Sequence, residues 1–126
     1  MIRYRYANHL APPAPFVNVT IRCPQTGNCE IDLPAQMDTA ADRTIIPGSV
    51  ARKLGLVEDG RLLFQGFAGD LVELPIYLVE LRVHDLPPIA LRAALGELEP
   101  YVLLGRDALN HHRILLNGPQ LAMEID

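Results

Sequence analysis

Eleven prolines and nine glycines cut this 126-residue chain into short apolar stretches, each closed by a turn signal. Short runs rich in Val, Ile and Leu between frequent turns mark a mostly β domain. Ala11-Pro12-Pro13-Ala14-Pro15 fits inside neither a sheet nor a helix. Residues 1–15 therefore read as an N-terminal arm with a stiff, extended Pro-rich link, and residues 16–126 as the domain proper.

Within that domain, Phe16 to Ile21 alternates as a half-buried strand should, and Thr26-Gly27-Asn28 turns the chain back into Glu30 to Leu33. Strand character returns at Thr44 to Ile46, Leu62 to Phe64, Leu71 to Val83, Ile89 to Leu95 and Tyr101 to Leu104. Pro47-Gly48-Ser49 opens a short helix, Val50 to Leu54, that Gly55 ends. Asp107 is expected to cap a second brief helix through Asn110. Ile114 to Leu116, the turn Asn117-Gly118 and Leu121 to Ile125 close the chain as a hairpin. No internal repeat is present.

Composition excludes several classes. A length of 126 residues suits one domain, and 49% hydrophobic residues suffice for one core. The net charge of −4 comes from 15 acids and 11 bases without a basic stripe, so nucleic acid is not the expected partner. No apolar run approaches the roughly 18–20 residues of a membrane span, so no membrane partner is expected. The charged start, Met1 to Tyr6, lacks the apolar segment of a secretory signal, which makes the cytoplasm the expected compartment. Cys23 and Cys29 are too few for a metal site, and the expectation is a reduced pair facing each other across the first hairpin. His111-His112 are adjacent and point apart, which suits packing or surface roles and not chelation. His9 and His84 are isolated. No nucleotide fingerprint or serine-nucleophile motif occurs, and neither metal nor cofactor is expected.

The residues that invite chemistry begin at Asp38-Thr39-Ala40-Ala41, where a carboxylate follows an apolar approach and precedes two small residues. Such an Asp can simply cap the turn that follows. The wider context offers more. Residues 35 to 47, Ala-Gln-Met-Asp-Thr-Ala-Ala-Asp-Arg-Thr-Ile-Ile-Pro, resemble the active-site loop of retropepsin-like aspartic peptidases. Tyr101-Val102-Leu103-Leu104-Gly105-Arg106-Asp107 resembles the apolar strand and Gly-Arg-Asp/Asn segment of the same family. Between them, Gly66-Phe67-Ala68-Gly69 is a glycine-flanked hairpin tip where that family keeps its flap. Each motif is weak alone, and the three in order are specific.

The resemblance implies a closed β-barrel of the acid-protease type with one or two short helices, assembled as a homodimer. It implies an aspartic endopeptidase acting on a peptide or protein substrate, with Asp38, Thr39 and Ala40 at the catalytic centre. Ala41, Asp42, Gly105 and Arg106 would support that centre, with Arg106 in a forked ion pair to a buried Asp42. Gly66, Phe67, Ala68 and Gly69 would form a flap over an extended substrate, both glycines adopting positive φ. The chemistry needs two carboxylates around one water, and this sequence has one Asp-Thr-x-Ala motif, so a second copy would supply the other. Ala40 stands where the family has Gly. Were the loop to need positive φ there, the domain would instead be a catalytically silent peptide-binding or dimerisation module.

Overall fold

The structure is a computed structural model that describes residues 1–66 and 68–126. Phe67, the expected flap-tip aromatic, lies outside the described residues.

Strand β2 (Phe16–Arg22) buries Val17, Val19 and Ile21 and turns Asn18 outward, as its alternation requires. It pairs antiparallel with β3 (Cys29–Met37). The sequence places strand character only to Leu33, yet β3 runs on through Pro34. The proline lies opposite Asn18 of β2, one residue before Ala35 begins the parallel pairing of β3 with β8 (Val102–Leu104). A missing N–H is tolerated where a strand has one neighbour. β4 (Ile45–Pro47) pairs with β8 and with β7 (Ile89–Gly96), which pairs with β6 (Leu71–Val83). The β2–β6 pairing closes the ring β2-β3-β8-β4-β7-β6 as a six-stranded barrel. Ile21, Ile46, Ile76, Leu81, Leu104 and Met123 are among the large side chains buried completely.

Helix α1 (Gly48–Leu54) packs Val50, Ala51 and Leu54 into this core and ends at Gly55, whose φ of 62° is the left-handed cap that glycine takes without strain. β5 (Glu58–Gln65) lies outside the ring and pairs only with the first half of β6, from Leu71 to Tyr77. The second half of β6 belongs to the barrel, so one 13-residue strand both closes the barrel and carries a projecting hairpin.

A second sheet stands apart from the barrel ring. β10 (Ala122–Ile125) lies between β9 (Ile114–Asn117) and β1 (Ile2–Arg5), both antiparallel to it. The start of the arm is thus a strand of its own chain's terminal sheet. Further along, His9 packs against Phe16 and Tyr101 with ring centroids 5.6 and 5.9 Å apart. The closing hairpin is wider than an Asn-Gly turn. A 3-10 turn, Gly118–Gln120, intervenes, and Asn117 Oδ1 accepts from the Gln120 N–H.

The two cysteines do not face each other. Cys29 pairs with Arg22, so in an antiparallel ladder the side chain of Cys23 falls on the opposite face. Both thiols are free; Cys23 is buried and Cys29 exposed. Among the described residues, no helix is long and apolar enough to cross a membrane.

Candidate active site

Asp38 follows directly on β3, where the parallel pairing with β8 is still in force: its N–H donates to the Leu104 carbonyl at 3.0 Å. The loop then tightens. Ala41 N–H reaches the Asp38 carbonyl at 3.2 Å, and Ala40 N–H reaches Asp38 Oδ1 at 3.1 Å. The carboxylate is therefore held by a neighbouring backbone donor on one oxygen and is half-buried. Thr39 and Ala40, beside it, are exposed on a single chain. Among the described residues, the non-glycine ones with positive φ are Asp32, His84 and Leu121; Ala40 is not one of them. An alanine at this position thus costs the loop no backbone strain.

Helix α2 (Arg106–Leu109) fixes the loop from behind. The Arg106 N–H donates to the Ala41 carbonyl at 2.9 Å, and Arg106 Nη1 donates to the Thr39 carbonyl at 2.8 Å. This differs from the expected Asp42–Arg106 ion pair. Asp42 is exposed, so it needs no buried counter-charge, and the guanidinium spends its donor on a loop carbonyl. Gly105 is required by proximity. A Cβ there would lie 2.4–2.9 Å from the backbone atoms of Arg43, so any side chain would push α2 off the loop.

The buried polar anchor of the site is a pair that the sequence reading did not assign. Thr44 is fully buried, the one buried polar residue among those described. Its N–H donates to both Asp107 carboxylate oxygens at 2.9 and 3.0 Å, and its hydroxyl donates to Oδ1 at 2.7 Å. The Gly105 N–H donates in turn to Thr44 Oγ1 at 3.3 Å. Asp107 is therefore no helix cap. It lies inside α2, whose N-cap is Gly105, and ties that helix to the strand after the Asp38 loop. The signal available in sequence was the polar Thr44 at the head of an apolar strand, which needs a buried partner.

The β5–β6 hairpin stands across an open cleft of about 530 Å³ from this loop. Ala40, Asp42, Arg43 and Arg106 line one wall, and Leu62 to Gln65 of β5 line the other. At the hairpin tip, Gly66 N–H donates to the Asp70 carbonyl at 2.9 Å and Gly69 N–H to the Gly66 carbonyl at 3.0 Å. Gly69 has φ of 87°, whereas Gly66 is not in the left-handed region, so one glycine and not two serves the turn. Ala68 is exposed beside it. Asp38, Thr39, Ala40, Ala41, Gly105 and Arg106 are thus brought together, with the Gly66–Gly69 tip on the separate hairpin.

At the level of sequence, no family model and no curated protein matches the chain. Solved structures do. A retropepsin-like aspartic protease from Rickettsia conorii superposes with a TM-score of 0.63 at 12% identity, over 99% of this chain and 91% of that one. EIAV protease in complex with the inhibitor HBY-793 gives 0.54 at 23% identity, over 78% of this chain and 86% of that one. The retroviral protease-like domain of Ddi1 from Leishmania major gives 0.53 at 17% identity, over 88% of each chain. The barrel, helix α2 behind the Asp38 loop and the projecting hairpin together give this chain the fold of the retropepsin-like proteases.

Proposed function

We propose that the protein is an aspartic endopeptidase whose active centre is built from two Asp38 carboxylates, one from each of two copies. The observation that carries this reading is Asp38 itself: a half-buried carboxylate that accepts the Ala40 N–H on one oxygen, in a loop whose Ala40 lines an open cleft, with no hydrogen bond to its other oxygen among the described residues. Two such carboxylates around one water cannot both ionise when held about 3 Å apart, so they share a proton. The ionised one removes a proton from the water as it attacks the scissile carbonyl. The protonated one donates a hydrogen bond to that carbonyl, and a carboxyl then protonates the leaving nitrogen. The apparent pKa values belong to the pair.

In this reading an extended peptide lies in the cleft, where the β5–β6 hairpin offers backbone groups and the side chains of Leu62 and Phe64. Arg106 and the Thr44–Asp107 pair are positioning residues that act through the loop backbone. The alternative of a silent binding module rested on Ala40 in place of glycine. The ordinary φ of Ala40 removes the backbone ground for it, and the Ala40 N–H already reaches the carboxylate. The test is turnover of a mixed peptide library by wild type and by Asp38→Asn, from acidic to near-neutral pH. Cleavage by wild type that Asp38→Asn abolishes supports the peptidase. Peptide binding without cleavage by either protein would favour the silent module.

A further inference from the structure

The cleft beside the Asp38 loop is charged on one wall only. Arg43 and Arg106 stand there with Ala40 and Asp42, while the facing wall, Leu62 to Gln65, carries no charge. Arginines next to this cleft are matched by acids. Arg92 holds the Asp59 carboxylate at 3.4 Å, and Arg61 holds Glu58 and Glu73 at 3.1 and 3.0 Å. Arg43 and Arg106 form no ion pair among the described residues.

The two differ in what engages them. Arg106 directs Nη1 to the Thr39 carbonyl at 2.8 Å. Arg43 has a single side-chain hydrogen bond among the described residues, from Nη1 to the Arg92 carbonyl, and at 3.4 Å it is long. A guanidinium carries five N–H donors, so most of those on Arg43 have no acceptor among the described residues. Asp59 does not serve, because Arg92 binds its carbonyl at 2.8 Å as well as its carboxylate. Asp42 adjoins Arg43 in sequence but is exposed and makes no ion pair with it.

While the cleft is open, solvent satisfies these donors. A peptide lying in the cleft removes that solvent from a side chain that is already half-buried. A charge stripped of water without a partner is strongly unfavourable, whereas a carboxylate matches a guanidinium through two parallel hydrogen bonds. Peptides lacking an acid at that point are therefore rejected, and those with one are held.

We propose that Arg43 is a specificity-determining residue, selecting peptides with an aspartate or glutamate where they pass the Asp38 loop. It binds the carboxylate of the peptide and moves no proton. Asp42 on the same wall is exposed, so solvent screens its repulsion, and two guanidiniums outweigh it. This preference rests on the reading of the cleft as a peptide site.

The probes are two labelled, degenerate decapeptide libraries, identical except that one central position is Glu in the first and Gln in the second. Binding is read by fluorescence anisotropy on the Asp38→Asn protein, which holds peptide without turnover, and cleavage is read on wild type. The Glu library should bind tighter by about tenfold or more, as a charge-assisted hydrogen bond allows. That comparison leaves Arg43 in place, so it does not depend on the stability of a variant there. Arg43→Gln, added to Asp38→Asn, should bring the two libraries to equal affinity with the far-UV circular dichroism unchanged. Arg43→Glu should instead favour a third library with Lys at the central position. Equal binding of the Glu and Gln libraries with Arg43 intact, or a Glu preference that survives Arg43→Gln, overturns the proposal. A Glu preference in binding without cleavage by wild type supports the role of Arg43 and overturns the peptidase reading. Cleavage by wild type with no Glu preference does the reverse, and binding of neither library overturns both.

Discussion

Thr44 and Asp107 hold the candidate site more firmly than any charge pair does. The Thr44 amide and hydroxyl are enclosed and have Asp107 as their acceptor, so Asp107→Ala leaves two buried donors without a partner. Each stranded donor costs about 1–3 kcal/mol, and the variant is expected to melt well below wild type. Asp42→Ala, at an exposed position, is expected to change stability by no more than about 0.5 kcal/mol. Equal melting of the two variants in thermal scans would contradict this ranking. The carboxylate, its small neighbours and Arg106 were legible as a motif. The partner of Arg106 was not, because which carbonyl or carboxylate a long side chain reaches depends on where Asp42 points, and no spacing encodes that.

A second residue sets a pH dependence. Burial holds the His112 imidazole below its usual pKa, and neighbouring His111 lowers it further, against the opposing pull of Asp126. Its Nε2 is enclosed and has no hydrogen-bond partner among the described residues. The folded protein thus keeps His112 neutral at a pH where the unfolded chain already binds a proton. Stability from this group is full above about pH 6.5 and falls as the pH drops below it. His112→Gln is expected to flatten the dependence of melting temperature on pH between about 7 and 5. An unchanged slope would show that His112 does not titrate differently in the two states.

At the scale of elements, the strands were legible from alternation and turn residues, and the errors fell where tertiary neighbours decide. β3 runs through Pro34 because that residue precedes the pairing with β8. β5 begins at the charged Glu58, four residues ahead of its apolar run, because a bulge between Glu58 and Arg61 lets the polar segment follow β6. The strand character of Ile2 to Tyr6 is present in the sequence, but its pairing was not legible, since its partner, β10, lies at the other end of the chain. Contact between α2 and the Asp38 loop depends on Gly105. Gly105→Ala inserts a Cβ against the Arg43 backbone and is expected to cost about 1–3 kcal/mol, as overpacking in a tight site does. Its melting temperature should fall along with whatever activity wild type shows. A variant as stable as wild type would mean that α2 can shift without cost.

At the scale of the whole molecule, one chain presents a closed barrel, a projecting hairpin over a cleft, and a single Asp38. The barrel and hairpin explain the likeness to the retropepsin-like proteases, and under the proposed mechanism the single Asp38 makes the chemistry a property of two copies. That dependence can be read directly by mixing. Wild type and Asp38→Asn are combined at fixed total concentration, allowed to exchange subunits, and assayed on a cleaved library peptide across the full range of ratios. If each active centre needs an Asp38 from both copies, mixed dimers are silent and activity follows the square of the wild-type fraction, roughly a quarter of full activity at an equal mixture of a two-fold dimer. Activity that falls in direct proportion to the wild-type fraction would contradict the shared active centre.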